Sequence, residues 1–345
     1  MNDKPLEDKK VLVTGGTGSL GQVLIKRILT GEKGIPKRVY VFSRDEVKQQ
    51  QMRLEYKAAL AATDEIIYGE KESKLEFIIG DVRSHSSLAQ AVRRAEIVFF
   101  ASALKQVPTC EYFPYEAILT NTMGAQNLVQ ALHESGNSVE TVIGVSTDKA
   151  CKPVNVMGMT KALQERILLS ANLTLPEIRL ICVRYGNVLL SRGSVIPLFL
   201  EQIKERRSLT VTTPEMTRFL LSIDQAVDAL FNAIRFCAAG EIFVPQLRSA
   251  KVLDIAKVLK GDLDLPIITT GVRPGEKVHE ILVSEEEAFR TVKQADHYII
   301  QPILPELRGP RASLPTLQQE YSSIDHVVDS TTLRRILADA GLVKS

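Results

Sequence analysis

The segment 141–149, TVIGVSTDK, ends in a hydroxyl, a carboxylate and an amine on consecutive residues, Thr147, Asp148 and Lys149. An adjacent acid and amine are the side chains that general acid–base catalysis uses to move protons to and from a substrate. The bland alternative is a surface ion pair, but an apolar, strand-like run delivers the three residues to a strand end, where perturbed groups gather in active sites. Twelve positions after Lys149 comes Lys161, at the end of M-G-M-T-K. Met157 stands four residues before it, and a thioether moves no proton at useful strength. Cys151 lies nearby, where packing is the more ordinary role for a cysteine.

Alternating short apolar runs and amphipathic stretches must position these groups. Strands are expected at KVLVT (10–14), RVYVFS (38–43), LEFIIG (75–80), IVFFAS (97–102), TVIGVS (141–146) and RLICVRY (179–185). Helical patterns lie between them, including Gly21 to Leu29, Ser86 to Arg94, Ala117 to Glu134 and Thr160 to Asn172. Strands that are apolar throughout require cover on both faces, so the fold class is α/β: a Rossmann-like doubly wound parallel sheet. The expected division is a dinucleotide-binding domain over 1–186, to which some later segments return. Residues 187–345 then form a smaller, interleaved C-terminal substrate-binding region and tail. The polar stretch 55–73 reads as an insertion with a short helix (EYKAALAA) and a flexible tip. A tail helix is expected from Asp329 to Leu342, for subunit or interdomain packing.

The first strand runs into GGTGSLG, which spaces Gly15, Gly18 and Gly21 as G-x-x-G-x-x-G, with Thr17, Ser19 and Leu20 between them. A strand, a tight glycine turn and a helix start let backbone N–H groups approach a pyrophosphate at the positive end of the helix. Ser43 and Arg44 follow the second strand. An Arg there suits a 2′-phosphate, which favours NADP, whereas Asp45 keeps NAD open. Asp81 and Val82 follow the third strand, on the adenine side. Ala101, Ala103 and Lys105 follow the fourth, toward the nicotinamide ribose, and Asn121 belongs to the same cofactor-binding set.

Composition narrows the class. The chain has 345 residues, 24% of them charged, and a formal net charge of +2, too mild to favour nucleic acid or an anionic membrane surface. No apolar run approaches a membrane span, no signal segment is visible, and the four cysteines lack metal or disulfide spacing. The expectation is a cytoplasmic protein with reduced thiols, no metal site and no membrane segment.

The blocks FSRDEVKQ, IIGDVR, ASALKQVPTCEYFP, STDKACKPVNVMGMTK, RYGNVLLSRGSVIPLF, TPEMTRFL and GVRPGEKVHE together resemble the bacterial UDP-N-acetylglucosamine 4,6-dehydratases. These are extended short-chain dehydrogenase/reductases of capsular-polysaccharide and flagellin-glycan synthesis. The resemblance runs from Val11 to about Ile281. It implies C4 oxidation by NADP (or NAD), loss of water across C5/C6 and hydride return to C6, with inversion at C5 expected for a chain lacking membrane segments. It makes Asp148 the acid toward the C6 oxygen, Lys149 the base at C5 and Lys161 the holder of the nicotinamide ribose. A basic Lys149 would need a lowered pKa. Met157 occupies the place of the family's Tyr, in Y-x-x-x-K, and some members carry Met there. Thr147 is then the first candidate to relay the C4 proton.

UDP-sugar contacts fall by resemblance on Lys105, Glu111, Asn187, Val195, Pro197, Arg218, Arg273 and Glu276. Family members assemble as dimers or hexamers, so a homo-oligomer is implied. Two rival readings use the same residues: a C5 epimerase, or a reductase of a 5,6-unsaturated UDP-sugar. A third, from another class, is a nucleotide-binding scaffold that has lost catalysis, with Met157 as the trace. Intact Thr147, Asp148, Lys149 and Lys161 argue against such decay.

Overall fold

The computed structural model describes residues 3–57, 74–136, 138–191, 193–309 and 314–343. Six parallel strands form its frame: β1 (Lys10–Thr14), β2 (Arg38–Ser43), β3 (Leu75–Ile79), β4 (Ile97–Phe100), β5 (Thr141–Val145) and β6 (Arg179–Val183). The order across the sheet is β3-β2-β1-β4-β5-β6. The strand Ile242–Pro245 then continues it parallel to β6, and His297–Ile300 and Thr291–Lys293 close that edge antiparallel.

Period-two geometry explains the unbroken apolar strands. Leu12, Phe42, Val98, Phe100, Val142 and Leu180 pack on one face, while Val11, Val13, Val41, Phe99, Ile143 and Ile181 pack on the other. Both sets are buried, so each strand needs apolar residues at every position.

The expected helix over 117–134 differs. Residues Ile118–Met123 wind as a π-helical segment before the α-helix Gly124–His133. A π segment widens the turn and re-aims one side chain. Here that side chain is Asn121, whose amide bonds both backbone groups of Leu104. The first turn of the expected 160–172 helix also begins earlier, at Val156, because Asn155 caps it by accepting from the Gly158 N–H at 2.8 Å.

A separate apolar cluster forms from Leu189, Ile196, Phe199, Leu209, Val211, Met216 and Ile255. The tail helix runs over Ser330–Asp339 and buries Leu333 and Leu337 in this same cluster, so it packs within its own chain. The helix Glu46–Lys57 covers the start of the polar stretch; residues 58–73 lie outside those described.

Candidate active site

The carboxyl ends of β4, β5 and β6 open into a cavity of about 680 Å³, whose other wall comes from residues 187–280. Ligands bind at this edge of an open α/β sheet, beside the point where strand order reverses.

The turn after β5 builds the centre. Thr147 starts a single 3₁₀ turn, Asp148–Ala150, by accepting from the Lys149 N–H at 3.4 Å. Its hydroxyl also donates to Asp148 Oδ1 at 2.8 Å. Lys149 Nζ donates to the same oxygen at 3.0 Å and lies 3.3 Å from Glu280 Oε1. Arg218 Nε is 3.7 Å from that Glu280 oxygen. Asp148 Oδ2 and Glu280 Oε2 are both buried and accept no hydrogen bond.

Burial pushes the Asp148 carboxyl above its ordinary range, more strongly than the Lys149 charge draws it down. Burial alone would lower Lys149, but Asp148 and then Glu280 outweigh it and the amine is raised. This corrects the expectation of a lowered Lys149: two carboxylates face it, and the nearby cations are weaker influences. Glu280 is also opposed by burial, yet Lys149, Arg218 and Lys277 hold it below its usual value.

Met157 and Lys161 lie four apart on the helix Val156–Ser170 and therefore share a face, and both line the cavity. Met157 is buried against Cys110 and Ala117 with Leu104, Val107 and Val156 around it. Lys161 Nζ donates to the Val145 carbonyl at 2.5 Å and to Gln164 Oε1 at 2.7 Å. Burial lowers its pKa to about 8. The glycine between the two methionines is a steric requirement: a Cβ at Gly158 would stand 2.2 Å from the Lys149 carbonyl oxygen. That contact seats the helix directly on the turn after β5.

The glycine loop fits a dinucleotide. Gly15 has φ +67°, and a Cβ on Gly21 would meet the Gly15 carbonyl oxygen at 2.6 Å, so the helix Ser19–Leu29 starts tight against β1. Gly18 caps that helix, and Ser19 and Leu20 reach the cavity wall. Thr17 Oγ1 and Ser43 Oγ share a hydrogen bond of 2.7 Å. Arg44 is exposed at the end of β2, 3.7 Å from Asp81, which also accepts from Arg83 at 3.0 Å. Asp45 is engaged by Lys48. Val82 is buried in the core, and the Asn121 amide is spent on Leu104 and on Thr160 Oγ1.

Ala101, Ala103, Lys105, Asn187, Val195, Pro197, Arg218, Arg273 and Glu276 all line the cavity. Asn187 Oδ1 is buried there without a partner. Arg218 Nη1 is held by the carbonyls of Thr217 and Val278, and Glu276 accepts from Thr212 at 3.3 Å. Glu111 is not brought into this wall; its carboxylate accepts the Val156 N–H at 2.7 Å, at the start of the Lys161 helix. Sequence reasoning missed Glu280 and Lys277, although both stand in the block GVRPGEKVHE. Glu280 closes that block, next to the residues singled out.

A family model described as polysaccharide biosynthesis protein matches residues 11–302. The chain belongs to that family. It is a nucleotide-sugar epimerase/dehydratase-type enzyme of the extended short-chain dehydrogenase/reductases. A relative from Rickettsia bellii (strain OSU 85-389), named UDP-glucose 4-epimerase, is 43% identical over 299 residues, 85% of this chain and 83% of that one. The X-ray structure of Pen from Bacillus thuringiensis is 32% identical, with a TM-score of 0.85 over 98% of this chain and 100% of the other. The dTDP-glucose 4,6-dehydratase DesIV from Streptomyces venezuelae, solved with NAD and TYD bound, shares the fold at 19% identity. Its TM-score is 0.64, over 78% of this chain and 86% of that one. Among the described residues of this enzyme, no helix is long and apolar enough to cross a membrane, and no acidic, His or Cys cluster could hold a metal.

Proposed function

We propose that this enzyme is a UDP-N-acetylglucosamine 4,6-dehydratase that uses NADP, or NAD, and yields a UDP-4-keto-6-deoxy-N-acetylhexosamine, inverted at C5, for surface polysaccharide. The observation that carries this reading is the Asp148–Lys149 pair, 3.0 Å apart in the cavity wall. Epimerisation at C4 calls for one proton relay, whereas dehydration also calls for an acid and a base at neighbouring carbons. Buried cysteines, all four free, suit a reducing cytoplasm.

The dinucleotide, when bound at the glycine loop, supplies acceptance of hydride from C4 and its return to C6. Lys161 would hold the nicotinamide ribose, and Arg44 would meet the adenosine 2′ position. Arg218, Arg273, Glu276 and Asn187 hold the UDP portion, and Lys105 faces the sugar. Thr147 takes the C4 hydroxyl proton and passes its own to Asp148 Oδ1 across 2.8 Å. Asp148, now protonated, gives that proton to the C6 oxygen as the C6–O bond breaks and water leaves. Neutral Lys149 removes the C5 proton and returns one to C5 when C6 is reduced. The proton released at C4 is the one consumed at C6, so the cycle closes without a net proton from solvent. The cycle therefore starts from an Asp148 carboxylate and a neutral Lys149, so the raised Lys149 gives its proton to solvent before C5 is attacked, which moves the working state toward higher pH.

A second reading, C4 epimerisation, is favoured by the name of the Rickettsia relatives. Incubation with UDP-GlcNAc and cofactor in D₂O, followed by proton NMR, separates the two. Dehydration gives a new C6 methyl signal with deuterium at C5. A changed C4 coupling with C5 still protonated would replace this proposal with epimerisation, and unchanged substrate despite cofactor binding would remove the UDP-GlcNAc assignment.

A further inference from the structure

Glu280 enters the site from a segment distant in sequence. It is 2% exposed, it lines the cavity, and its two oxygens differ. Oε1 is 3.3 Å from Lys149 Nζ and 3.7 Å from Arg218 Nε, while Oε2 is buried and accepts nothing from the protein. Its backbone is fixed, because the Glu280 N–H donates to Ser323 Oγ at 2.9 Å and the Glu280 carbonyl accepts the Ser323 N–H at 2.8 Å. Ser323 in turn bonds Thr217 Oγ1 at 2.6 Å, beside Arg218. A buried carboxylate held this firmly, yet only half satisfied, is costly unless it serves the charge beside it.

We propose that Glu280 is a positioning residue for the Asp148–Lys149 pair: its carboxylate holds the Lys149 amine at the cavity wall and sets the pH at which the pair can work. The inference rests on the acid–base roles assigned above. The groups facing it are Asp148 and Lys149 from the turn after β5, Arg218 from the strand Thr217–Leu221, and Lys277 from its own segment. Asp148 alone would leave Lys149 tied to the neighbouring residue on its own turn. Glu280 gives the amine a second anchor, from a segment distant in sequence. Its negative charge also opposes ionisation of Asp148, which keeps the acid available at higher pH.

The test compares wild type with Glu280→Gln and Glu280→Asp, all checked for folding by thermal melting and cofactor binding. With UDP-GlcNAc, Glu280→Gln should lower kcat about 10–100-fold with KM nearly unchanged, the scale expected for a displaced catalytic group. The acid limb of its kcat profile should move to lower pH, and Glu280→Asp should move the limb back. An unshifted limb, or a rise in KM alone, overturns the proposal. A second measurement needs no turnover: carboxyl-¹³C-aspartate NMR of the free enzyme, with the Asp148 signal assigned by its loss in Asp148→Asn. The Asp148 titration should fall in Glu280→Gln; an unchanged titration refutes the coupling. If wild type leaves UDP-GlcNAc untouched, the substrate assignment fails while the NMR arm still decides the role of Glu280.

Discussion

Two clusters of buried charge lie side by side in this enzyme, and they are satisfied to different degrees. In the first, Arg184 is fully buried at the end of β6 and forks to two glutamates. It meets Glu165 at 3.1 and 2.7 Å and Glu287 at 2.6 and 3.1 Å, and adds the Leu282 carbonyl at 2.9 Å. Ser146 donates to Glu165, and the Ser284 N–H donates to Glu287, so every carboxylate oxygen has a partner. In the second, Asp148, Lys149, Glu280 and Arg218 meet at the cavity wall, and one oxygen of each carboxylate has none. The first ties the Lys161 helix, β6 and the C-terminal segment together. The second keeps acceptors open toward the cavity. Buried charge with complete partners holds structure, whereas buried charge with an open valence on a cavity is available for chemistry.

Substitutions should separate the two clusters in opposite ways. Lys149→Ala should cut the elimination step by roughly 10²–10⁴ in kcat, while thermal melting falls less than in Arg184→Met, because Asp148, already raised by burial, takes up a proton and Glu280 keeps Arg218. Full activity in that variant would remove Lys149 from the reaction. Arg184→Met should instead cost about 3–5 kcal/mol of stability in urea unfolding, since it strands two buried carboxylates. A loss confined to activity would mean that the first cluster is not structural.

The same contrast has a pH signature. Glu287 is depressed to about 2: burial would raise it, but the Arg184 charge and hydrogen bonds prevail. A depressed folded-state pKa gives stability that is present above the unfolded value, 4.5, and is lost as pH falls through about 2. Melting temperature in wild type should therefore drop steeply over that window, and Arg184→Met should flatten the drop. The smallest effect is expected at Met157. Met157→Tyr should change kcat by no more than about tenfold, because in the proposed mechanism Thr147 carries the C4 proton. A larger gain would show that proton relay at C4 limits turnover in the native enzyme.

Strand positions β1 and β2 were legible residue for residue, because runs such as KVLVT and RVYVFS are apolar on both faces and bounded by turn residues. The delivery of Thr147–Lys149 to a strand end and the existence of the helix bearing Lys161 were legible too, from local order along the chain, although that helix starts at Val156 rather than Thr160. Two features were not. The π segment at Ile118–Met123 arises from the demands of Leu104 on Asn121, which no periodicity encodes. Glu111 reads as a sugar contact from its block, but the fold uses its carboxylate at a helix start.

The sequence by itself determined the strand–helix alternation, the glycine turn for a dinucleotide, and the adjacency of hydroxyl, carboxylate and amine, since all of these are short-range patterns. Only the tertiary structure decided what charge state that adjacency would favour. Glu280 and Arg218 reach Lys149 from distant segments, and burial removes the water that would screen them. The field at the Lys149 amine is therefore set by through-space neighbours that its local sequence does not contain.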